Sequence, residues 1–353
     1  MRKAIENPSD YLSEVGTPII DVINRINSVE GLFQLVIDGS GAFVGTVTDG
    51  DVRRALLDKA ALDDPIDRYV FRKAVTAHVR MTEDQIDALL LKIDFARPFL
   101  PVLDAEKRVE RIVFGTKTAP TQPDFAALVM AGGRGTRLGE RTRTTPKPLL
   151  EVGGKPMIER VLCSLEDANV SRVMISVHYL ADKIRNFVES RQSKCPITLL
   201  EEDSPLGTAG AIGLAPKFEQ LPLLVMNADV LTDLDIQSML AFHRRHLHDM
   251  TIAVTVHEFN IPFGVIDMDS AGLFRAIREK PKVSNFVASG VYLLEPAVKG
   301  LLKPNVRTEM PDLLQQAHAM GFRIGLYPVH EYWTDLGLPE QLEAADRAIS
   351  DSK

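Results

Sequence analysis

The sequence predicts an α/β fold with two domains, a large α/β domain preceded by a smaller α+β domain. Its 353 residues exceed what one ordinary core accommodates. From residue 126 onward, apolar strand-like runs alternate with amphipathic helical segments, which is typical of a largely parallel sheet covered by helices on both faces. A polar segment with two prolines separates this half from the shorter N-terminal pattern. We therefore predict domains at 1–118 and 126–353, joined by a linker at 119–125.

The N-terminal domain contains a loosely repeated pattern. An amphipathic helix, TPIIDVINRIN, precedes the strands LFQLVID and FVGTVT and a helix that begins at DGDVRRALL. A second helix, MTEDQIDALLLKI, precedes the strands RPFLPVLD and VERIVFG. Two copies of a helix-strand-strand unit predict a small α+β domain.

The C-terminal domain begins with four predicted strands and two predicted helices. The strands are AALVMA, RVMISV, ITLLEE and LPLLVMNAD, and the helices are PMIERVLCSLEDA and LADKIRNFVESR. Four further strand-like segments follow: TIAVTVHEF, GVIDMD, FRAIREK and FVASGVYLL. This order predicts a Rossmann-like domain with a mixed, mostly parallel sheet and an added β-rich part.

Composition excludes several classes of function. The balance of 45% hydrophobic and 25% charged residues is that of an ordinary globular protein, and the net charge of −7 disfavours a general nucleic-acid or anionic-membrane surface. The N-terminal segment lacks the apolar core of a secretory signal, and no apolar run approaches the ~20 residues that span a bilayer. Two cysteines cannot form a disulfide framework. We expect a cytoplasmic protein that binds neither membrane nor nucleic acid.

A glycine-rich loop, AGGRGTRL, follows the first strand of the larger domain. Glycines allow backbone N–H groups to approach phosphate oxygens, and the arginines can neutralise phosphate charge. The loop lacks the third glycine of a dinucleotide fingerprint, and the later GGKP does not complete a Walker loop. A turn with solvated arginines is the structural alternative for the loop taken alone.

Motifs downstream of the loop remove this ambiguity. The run AGGRGTRL, then KPLL and GGKPMIE, resembles the nucleotidyltransferases that make nucleotide-sugars. The matches SPLGTAGA, MNADVL, FGV, REKP, SGVY and WTDLG follow in that family's order, so the resemblance covers about residues 126–345. It implies the reaction of a nucleoside triphosphate with a sugar-1-phosphate, giving a nucleoside-diphosphate sugar and pyrophosphate.

The resemblance also implies roles for individual residues. Arg137 and Lys147 are the expected catalytic cations. Asp229, at the end of an apolar strand, and Asp335 are the expected Mg²⁺ ligands, although a helix cap is an alternative for Asp335. The remaining expected contacts are with the nucleotide, at Ala131, Gly132, Gly133, Gly135, Thr136, Gly207 and Thr208, and with the sugar phosphate, at Gly264, Glu279 and Lys280. Ala288 departs from relatives that carry a side-chain amide there.

Glu202 bears on the choice of base. Guanine presents two adjacent donors, N1–H and N2–H₂, and one carboxylate can accept from both in charge-assisted hydrogen bonds. The LGTAG run is also more similar to guanylyltransferases than to thymidylyltransferases. We therefore expect GTP as the nucleotide. The alternatives are that Glu202 faces solvent beside Glu201 and Asp203, and that the enzyme uses UTP or dTTP.

The N-terminal stretch GTVTDGDVRR resembles cystathionine-β-synthase-type (CBS) domains, which occur in pairs. The resemblance implies that Thr48 and Asp51 contact an adenine nucleotide; a docking or dimerising module without ligand is the alternative. The fusion is similar to guanylyltransferases that act on glucosamine-1-phosphate in bacterial legionaminic acid pathways, and mannose-1-phosphate is the other expected substrate. An alternative of a different class is a nucleotide-sensing protein whose transferase domain is inactive. We expect a homo-oligomer.

Overall fold

The computed structural model describes residues 3–93, 98–115, 123–216 and 221–351. The predicted linker at 119–125 lies outside these residues except for its last three positions. The first strands are β1 (Lys3–Ile5), β2 (Leu12–Glu14), β3 (Phe33–Ile37), β4 (Phe43–Thr48), β5 (Ala77–His78), β6 (Phe99–Leu103) and β7 (Val109–Phe114). The later strands are β8 (Ala126–Met130), β9 (Glu151–Val152), β10 (Lys155–Pro156), β11 (Val173–Val177), β12 (Ile197–Glu201), β13 (Leu223–Asn227), β14 (Val230–Thr232), β15 (Met250–Asn260), β16 (Val265–Met268), β17 (Phe274–Arg278), β18 (Lys282–Leu294), β19 (Ile324–Pro328) and β20 (Trp333–Asp335).

The helices include the predicted amphipathic segments and add others, some short and some as long as those predicted. They are α1 (Ile19–Ser28), α2 (Asp49–Leu57), α3 (Glu83–Leu90), α4 (Arg141–Thr144), α5 (Met157–Asp167), α6 (Ala181–Ser190), α7 (Gly207–Gly210), α8 (Ile236–Arg245), α9 (Pro296–Lys299), α10 (Met310–Ala319) and α11 (Pro339–Asp351). None of the helices in the described ranges has the length and apolarity that a membrane span requires.

The chain forms two compact units. The first comprises residues 1–124 and 235–247, and the second comprises 125–234 and 248–353. Residues 235–247, which contain α8, follow the larger predicted domain in sequence order but cluster with the first unit in space.

The first unit contains the same topology twice. In each copy a short strand pairs in parallel with a second strand, which pairs antiparallel with a third: β2-β3-β4 and β5-β6-β7. A helix, α1 or α3, connects the first two strands of each copy, and β1 extends the second sheet beyond β7. The rings of Phe33 and Phe99, one from each copy, stack in the apolar core with Tyr11 and Phe114. The loose repeat of the sequence is therefore a structural repeat.

The second unit is built on a seven-stranded sheet with the order β12-β11-β8-β13-β18-β15-β19. The first four strands are parallel, β18 is antiparallel to both of its neighbours, and β19 is parallel to β15. This is the mixed, mostly parallel sheet that the alternating pattern predicts. The strands β8 and β11 are buried along nearly their full length, as expected for parallel strands covered on both faces. The carboxyl ends of β8, β11 and β13 lie at one edge, where ligands bind in such sheets.

Three short antiparallel pairs stand outside this sheet: β9 with β10, β14 with β20, and β16 with β17. The sequence pattern did not predict β14 or β20, because strands of three residues are too short to show a period. Their pairing is important for the site, since it connects two segments that are far apart in the sequence.

Candidate active site

A cavity of about 390 Å³ lies at the carboxyl ends of β8 and β13. Nine of the predicted site residues line it: Ala131, Gly133, Gly135, Thr136, Arg137, Lys147, Thr208, Asp229 and Asp335. Four residues that the sequence did not suggest also line it: Met130, Pro148, Ala228 and Gly337. The glycine loop, the cations of Arg137 and Lys147, and the carboxylates of Asp229 and Asp335 therefore share one cavity.

The two aspartates converge through the pairing of β14 with β20. Val230 and Asp335 are register partners, which places Asp335 beside the segment that begins at Asp229. The N–H of Leu336 donates to the carbonyl of Asp229 over 3.0 Å and fixes this approach. Residues more than a hundred positions apart are thereby brought to the same end of the cavity.

Lys147 joins the two carboxylates. Its ammonium donates to Asp229 Oδ2 and lies 4.0 Å from Asp335 Oδ1. The lysine begins a short helical turn, residues 147–149, after Pro146, and its side chain is only 11% exposed. Prolines on both sides restrict the backbone at Lys147, and the pairing with Asp229 holds its ammonium.

Burial raises the pKa of Asp335, and the nearby Asp229 carboxylate raises it further, while Lys147 and Arg137 act in the opposite direction. Among the described residues, Asp335 Oδ1 is buried and accepts no hydrogen bond. Two converging carboxylates, one with an unsatisfied oxygen, match the hard oxygen ligands that Mg²⁺ prefers. Asp229 and Asp335 therefore fit a divalent cation.

Gly135 shapes the cationic side of the cavity. Its φ of +63° is left-handed, and a Cβ there would lie 3.0 Å from both Lys147 Cβ and Thr142 Cγ2. The hydroxyl of Thr142 donates to the carbonyls of Gly135 and Gly139 at 3.0 and 3.1 Å. Thr142 is buried, and these two hydrogen bonds stabilise the loop. No sequence motif identified this residue.

Glu202 is buried. The alternative that this side chain faces solvent beside Glu201 and Asp203 is therefore wrong. Its Oε2 accepts from the N–H of Leu206 at 2.9 Å. A Cβ on Gly132 would lie 2.9 Å from Oε1, so the loop glycine lets the carboxylate come close. Glu202 and Gly132 are neighbours but do not line the cavity described above.

Thr208 lines the cavity, yet its polar groups already have partners. Its N–H and hydroxyl donate to Glu309 Oε2 at 3.1 and 3.0 Å, and the hydroxyl accepts from the N–H of Met310 at 2.7 Å. The hydrogen bond from the Thr208 N–H is the main cause that lowers the pKa of Glu309, and bonds from Arg307 and the Thr208 hydroxyl lower it further against the effect of burial. Gly207 has a left-handed φ of +77°, and a Cβ at this position would lie 2.7 Å from the carbonyl oxygen of Thr308. Glu309 is a supporting residue that the motif analysis missed because it lies outside every motif.

The predicted sugar-phosphate residues lie at the base of the β16–β17 hairpin. A Cβ on Gly264 would be 3.0 Å from Glu279 Oε2, so the two positions are adjacent. Glu279 and Lys280 are exposed, and Lys280 has a left-handed φ of 44°. None of the three lines the cavity. Their role stays a prediction.

A second cavity, of about 380 Å³, lies in the first unit and is lined by Thr48 and Asp51 among other residues. Asp51 Oδ2 accepts from the N–H and the hydroxyl of Thr48 at 2.9 and 2.8 Å, and this pair caps α2. Arg54 pairs with Asp51 Oδ1 at 3.2 Å. The two predicted ligand contacts therefore also stabilise the start of a helix.

Comparison with known proteins identifies the family of the larger unit. A family model described as nucleotidyl transferase matches residues 126–352. The chain belongs to this family. The family match begins at β8 and leaves the first 125 residues unmatched.

Similar proteins share this transferase region. The mannose-1-phosphate guanylyltransferase catalytic subunit beta of Drosophila pseudoobscura pseudoobscura is 33% identical over 223 residues, which cover 61% of this chain and 59% of that protein. Mannose-1-phosphate guanylyltransferase 1 of Arabidopsis thaliana is 34% identical, covering 64% of this chain and 65% of that one. The chain thus spans about three fifths of these relatives' length. The crystal structure of HddC from Yersinia pseudotuberculosis, complexed with GMP-PN, is 25% identical, with a TM-score of 0.50 over 64% of this chain and 99% of that one.

Proposed function

We propose that this protein transfers a nucleotidyl group from a nucleoside triphosphate, with GTP favoured, to a sugar-1-phosphate, giving a nucleoside-diphosphate sugar and pyrophosphate. The observation that carries the proposal is that Lys147 pairs with Asp229 and lies 4.0 Å from Asp335 in a cavity that the glycine loop and Arg137 also line. Cationic groups and carboxylates that line the same cavity suit a triphosphate and its divalent cation.

The chemistry needs positioning and charge neutralisation more than proton transfer. A phosphate oxygen of the sugar-1-phosphate forms a bond to the nucleotide α-phosphorus as the bond to pyrophosphate breaks. That oxygen is already ionised at neutral pH, so no general base is required. Lys147 would hold the α-phosphate and Arg137 the departing pyrophosphate. Asp229 and Asp335 would hold Mg²⁺, which supplies further charge neutralisation when it is bound.

The preference for guanine is supported by Glu202. Its carboxylate is buried beside the loop glycine Gly132, where charge-assisted hydrogen bonds are strong. Relatives named as guanylyltransferases, and HddC in complex with GMP-PN, are consistent with this base. Mannose-1-phosphate and glucosamine-1-phosphate are the proposed acceptors.

A pyrophosphate-release assay tests the proposal. GTP, UTP, dTTP, CTP and ATP are each offered with mannose-1-phosphate and glucosamine-1-phosphate in the presence of Mg²⁺. We expect GTP to support turnover, and Lys147→Met to lower kcat by about 10²–10³-fold, the range for loss of one charge-stabilising donor. Lys155→Met is the matched control, because Lys155 is an exposed lysine outside the cavity. Absence of pyrophosphate release with every pair would favour the inactive, nucleotide-sensing alternative.

The role of Glu202 is tested separately from activity itself. Glu202→Gln keeps the size of the side chain but replaces one acceptor by a donor. We expect kcat/KM for GTP to fall more than that for UTP. Equal losses for the two nucleotides would remove Glu202 from base recognition while leaving the transferase proposal intact.

We propose that the first unit is a CBS pair that binds an adenine nucleotide in its own cavity. The duplicated topology and the position of Thr48 and Asp51 on the cavity wall support this. Titration with AMP, ATP and GTP, followed by calorimetry, tests it. Absence of binding by all three would favour a docking module without ligand.

A further inference from the structure

The last helix of the second unit, α11, packs against the turn of the β9–β10 hairpin, which is formed by Gly153 and Gly154. The N–H of Gly153 donates to Asp346 Oδ1 over 2.7 Å. A Cβ on Gly153 would overlap Ile349 Cγ2, so the helix lies directly on the backbone of the turn. Both glycines have a left-handed φ, which glycine adopts without strain. The turn therefore gives α11 a close backbone surface and one N–H donor.

An apolar cluster beneath this contact joins three segments of the chain. Its buried members come from the hairpin, from the first turn of α5, from the residue after Asp335 and from α11: Val152, Met157, Leu336, Leu342 and Ala345. Leu342, Ala345 and Ile349 are spaced by three and four residues, so they share one face of α11. The apolar face of the helix is therefore the part that packs on the hairpin.

The helix also contacts the chain on the other side of Lys147. Arg141, the first residue of α4, donates to Glu343 Oε1 over 2.9 Å. The two side chains are 47% and 59% exposed, so this pair contributes little to stability by itself. Together, the contacts at residues 141 and 153 place α11 at both ends of the segment that carries Lys147.

Backbone hydrogen bonds connect the hairpin to Lys147. The N–H of Leu150 donates to the Lys147 carbonyl, and the N–H of Met157 donates to the Leu150 carbonyl, both over 3.0 Å. A shift of the hairpin would therefore move the backbone of the lysine. On its other side, α11 follows β20, which ends at Asp335. The helix thus joins the segment that carries the lysine to the segment that carries one of the aspartates.

We propose that Asp346 is a positioning residue of the transferase site, because its bond to the Gly153 N–H sets the place of the Lys147 ammonium. That ammonium pairs with Asp229 and lies 4.0 Å from Asp335. A hydrogen bond from a backbone N–H to a carboxylate is charge-assisted and stronger than a neutral one. The inference rests on the proposed function, in which Lys147 holds the α-phosphate. A misplacement of about 1 Å in such a group can cost on the order of 100-fold in rate.

Competitive acetylation with acetic anhydride measures the placement of Lys147 without any turnover. The side chain of Lys147 is 11% exposed and paired, so its amine should react slowly compared with that of Lys303, an exposed lysine of the same unit. We expect Asp346→Ala to raise the ratio of Lys147 to Lys303 acetylation about fivefold, the factor that corresponds to the loss of one net hydrogen bond. Peptide mass spectrometry gives this ratio.

Three further variants separate the hydrogen bond from the other effects of the substitution. Asp346→Asn keeps an oxygen that can accept from the Gly153 N–H, so it should stay near the wild-type ratio. Glu340→Ala is the matched control, because Glu340 is an exposed carboxylate on the same helix. It should leave the ratio unchanged. Glu343→Ala removes only the exposed pair with Arg141 and should raise the ratio less than Asp346→Ala.

The rate of pyrophosphate release gives a second measurement. Asp346→Ala should lower kcat about tenfold, and Asp346→Asn should restore most of it. In a Lys147→Met background the same Asp346→Ala substitution should cost less than about twofold, because the lysine that it positions is absent. A residue with a merely structural role would lower kcat by the same factor in both backgrounds. Thermal unfolding checks that every variant is folded at the assay temperature.

An equal acetylation ratio in wild type and Asp346→Ala would overturn the proposal. So would a tenfold loss of kcat on adding Asp346→Ala to Lys147→Met. A wild type that releases no pyrophosphate with any substrate pair would remove the proposed function instead, and the acetylation ratio would still decide whether Asp346 sets the place of Lys147.

Discussion

At the residue scale, the ammonium of Lys147 and a divalent cation require the same two carboxylates. Lys147 donates to Asp229 and lies 4.0 Å from Asp335, so its ammonium pairs with the carboxylates that would hold a metal ion. Like charges at such separations repel strongly in a partly buried site. The ammonium and a bound cation would therefore compete for Asp229, and a lysine displaced from Asp229 would be available to a phosphate.

This competition is measurable without turnover. In the absence of nucleotide, we expect Lys147→Met to bind Mn²⁺ about tenfold more tightly than the wild type, a difference of ~1.4 kcal/mol. Isothermal titration calorimetry provides the measurement. Lys155→Met removes an exposed lysine and should not change the affinity. Equal affinity in Lys147→Met and wild type would show that the ammonium does not compete with the metal ion.

Two glycines of the same loop should respond differently to alanine. Gly135 has a left-handed φ and two neighbours at 3.0 Å, whereas nothing lies within 4 Å of a Cβ on Gly133. We expect Gly135→Ala to lower the free energy of unfolding by about 2 kcal/mol, from the strained backbone and the crowding of Lys147 and Thr142. Gly133→Ala should change it by less than ~0.5 kcal/mol. Urea unfolding measures both, and equal effects would contradict the role assigned to Gly135.

At the scale of elements, a buried ion-pair network joins α5 to the segment after α6. Arg191 donates to Glu166 at 2.6 and 2.9 Å and to Glu159 at 2.8 Å. The Glu166 side chain is 2% exposed and that of Arg191 is 8% exposed. The hydrogen bonds from Arg191, together with that from the Lys194 N–H, lower the pKa of Glu166 against the effect of burial.

We expect Arg191→Met to destabilise the protein by about 3 kcal/mol, because Glu166 is left buried without its partner. Arg185→Met is the matched control, since Arg185 forms exposed pairs with Asp182 and Glu201 and should contribute less than ~1 kcal/mol. Thermal and urea unfolding distinguish the two variants. If both variants lost a similarly small free energy of unfolding, the claim that the buried pair contributes more than the exposed pairs would be contradicted.

The same network predicts a dependence on pH. A carboxyl group whose folded-state pKa is lowered stabilises the fold fully above its ordinary pKa of about 4.3. This stabilisation is lost as the pH falls through the lower folded-state value. The difference in unfolding free energy between wild type and Glu166→Gln should therefore be largest near neutral pH and shrink in acid. A difference that does not vary with pH would contradict the prediction.

At the scale of the whole molecule, each compact unit has its own cavity. Ligands that bind only the folded state stabilise it by about 2.7 kcal/mol at a hundred times their dissociation constant. We expect AMP to raise the melting temperature in both wild type and Lys147→Met, but not in Asp51→Asn. GTP with Mg²⁺ should stabilise Asp51→Asn as much as wild type and should stabilise Lys147→Met less. A single variant that lost stabilisation both by AMP and by GTP with Mg²⁺ would contradict the proposal of two separate sites.

The sequence by itself determined most of the parallel-sheet strands and the family of the transferase region. Its apolar periods predict the sheet strands β8, β11, β12 and β13 and the helices α5 and α6, because the alternation of apolar residues is a local property of the chain. Its motifs identify the glycine loop, Arg137, Lys147 and the two aspartates, because residue types and their order suffice for a family resemblance.

Only the tertiary structure decided which of these residues meet. The β14–β20 ladder brings Asp335 to Asp229, and Lys147 pairs with both. Folding also buries Glu202 beside Gly132, joins Glu309 to Thr208, and packs α11 on the β9–β10 turn. Three-residue strands carry no periodic signal, and contacts across a hundred residues depend on how the whole sheet packs. The family resemblance implied that Asp229 and Asp335 share a site, but no local pattern predicts the contacts that bring them together.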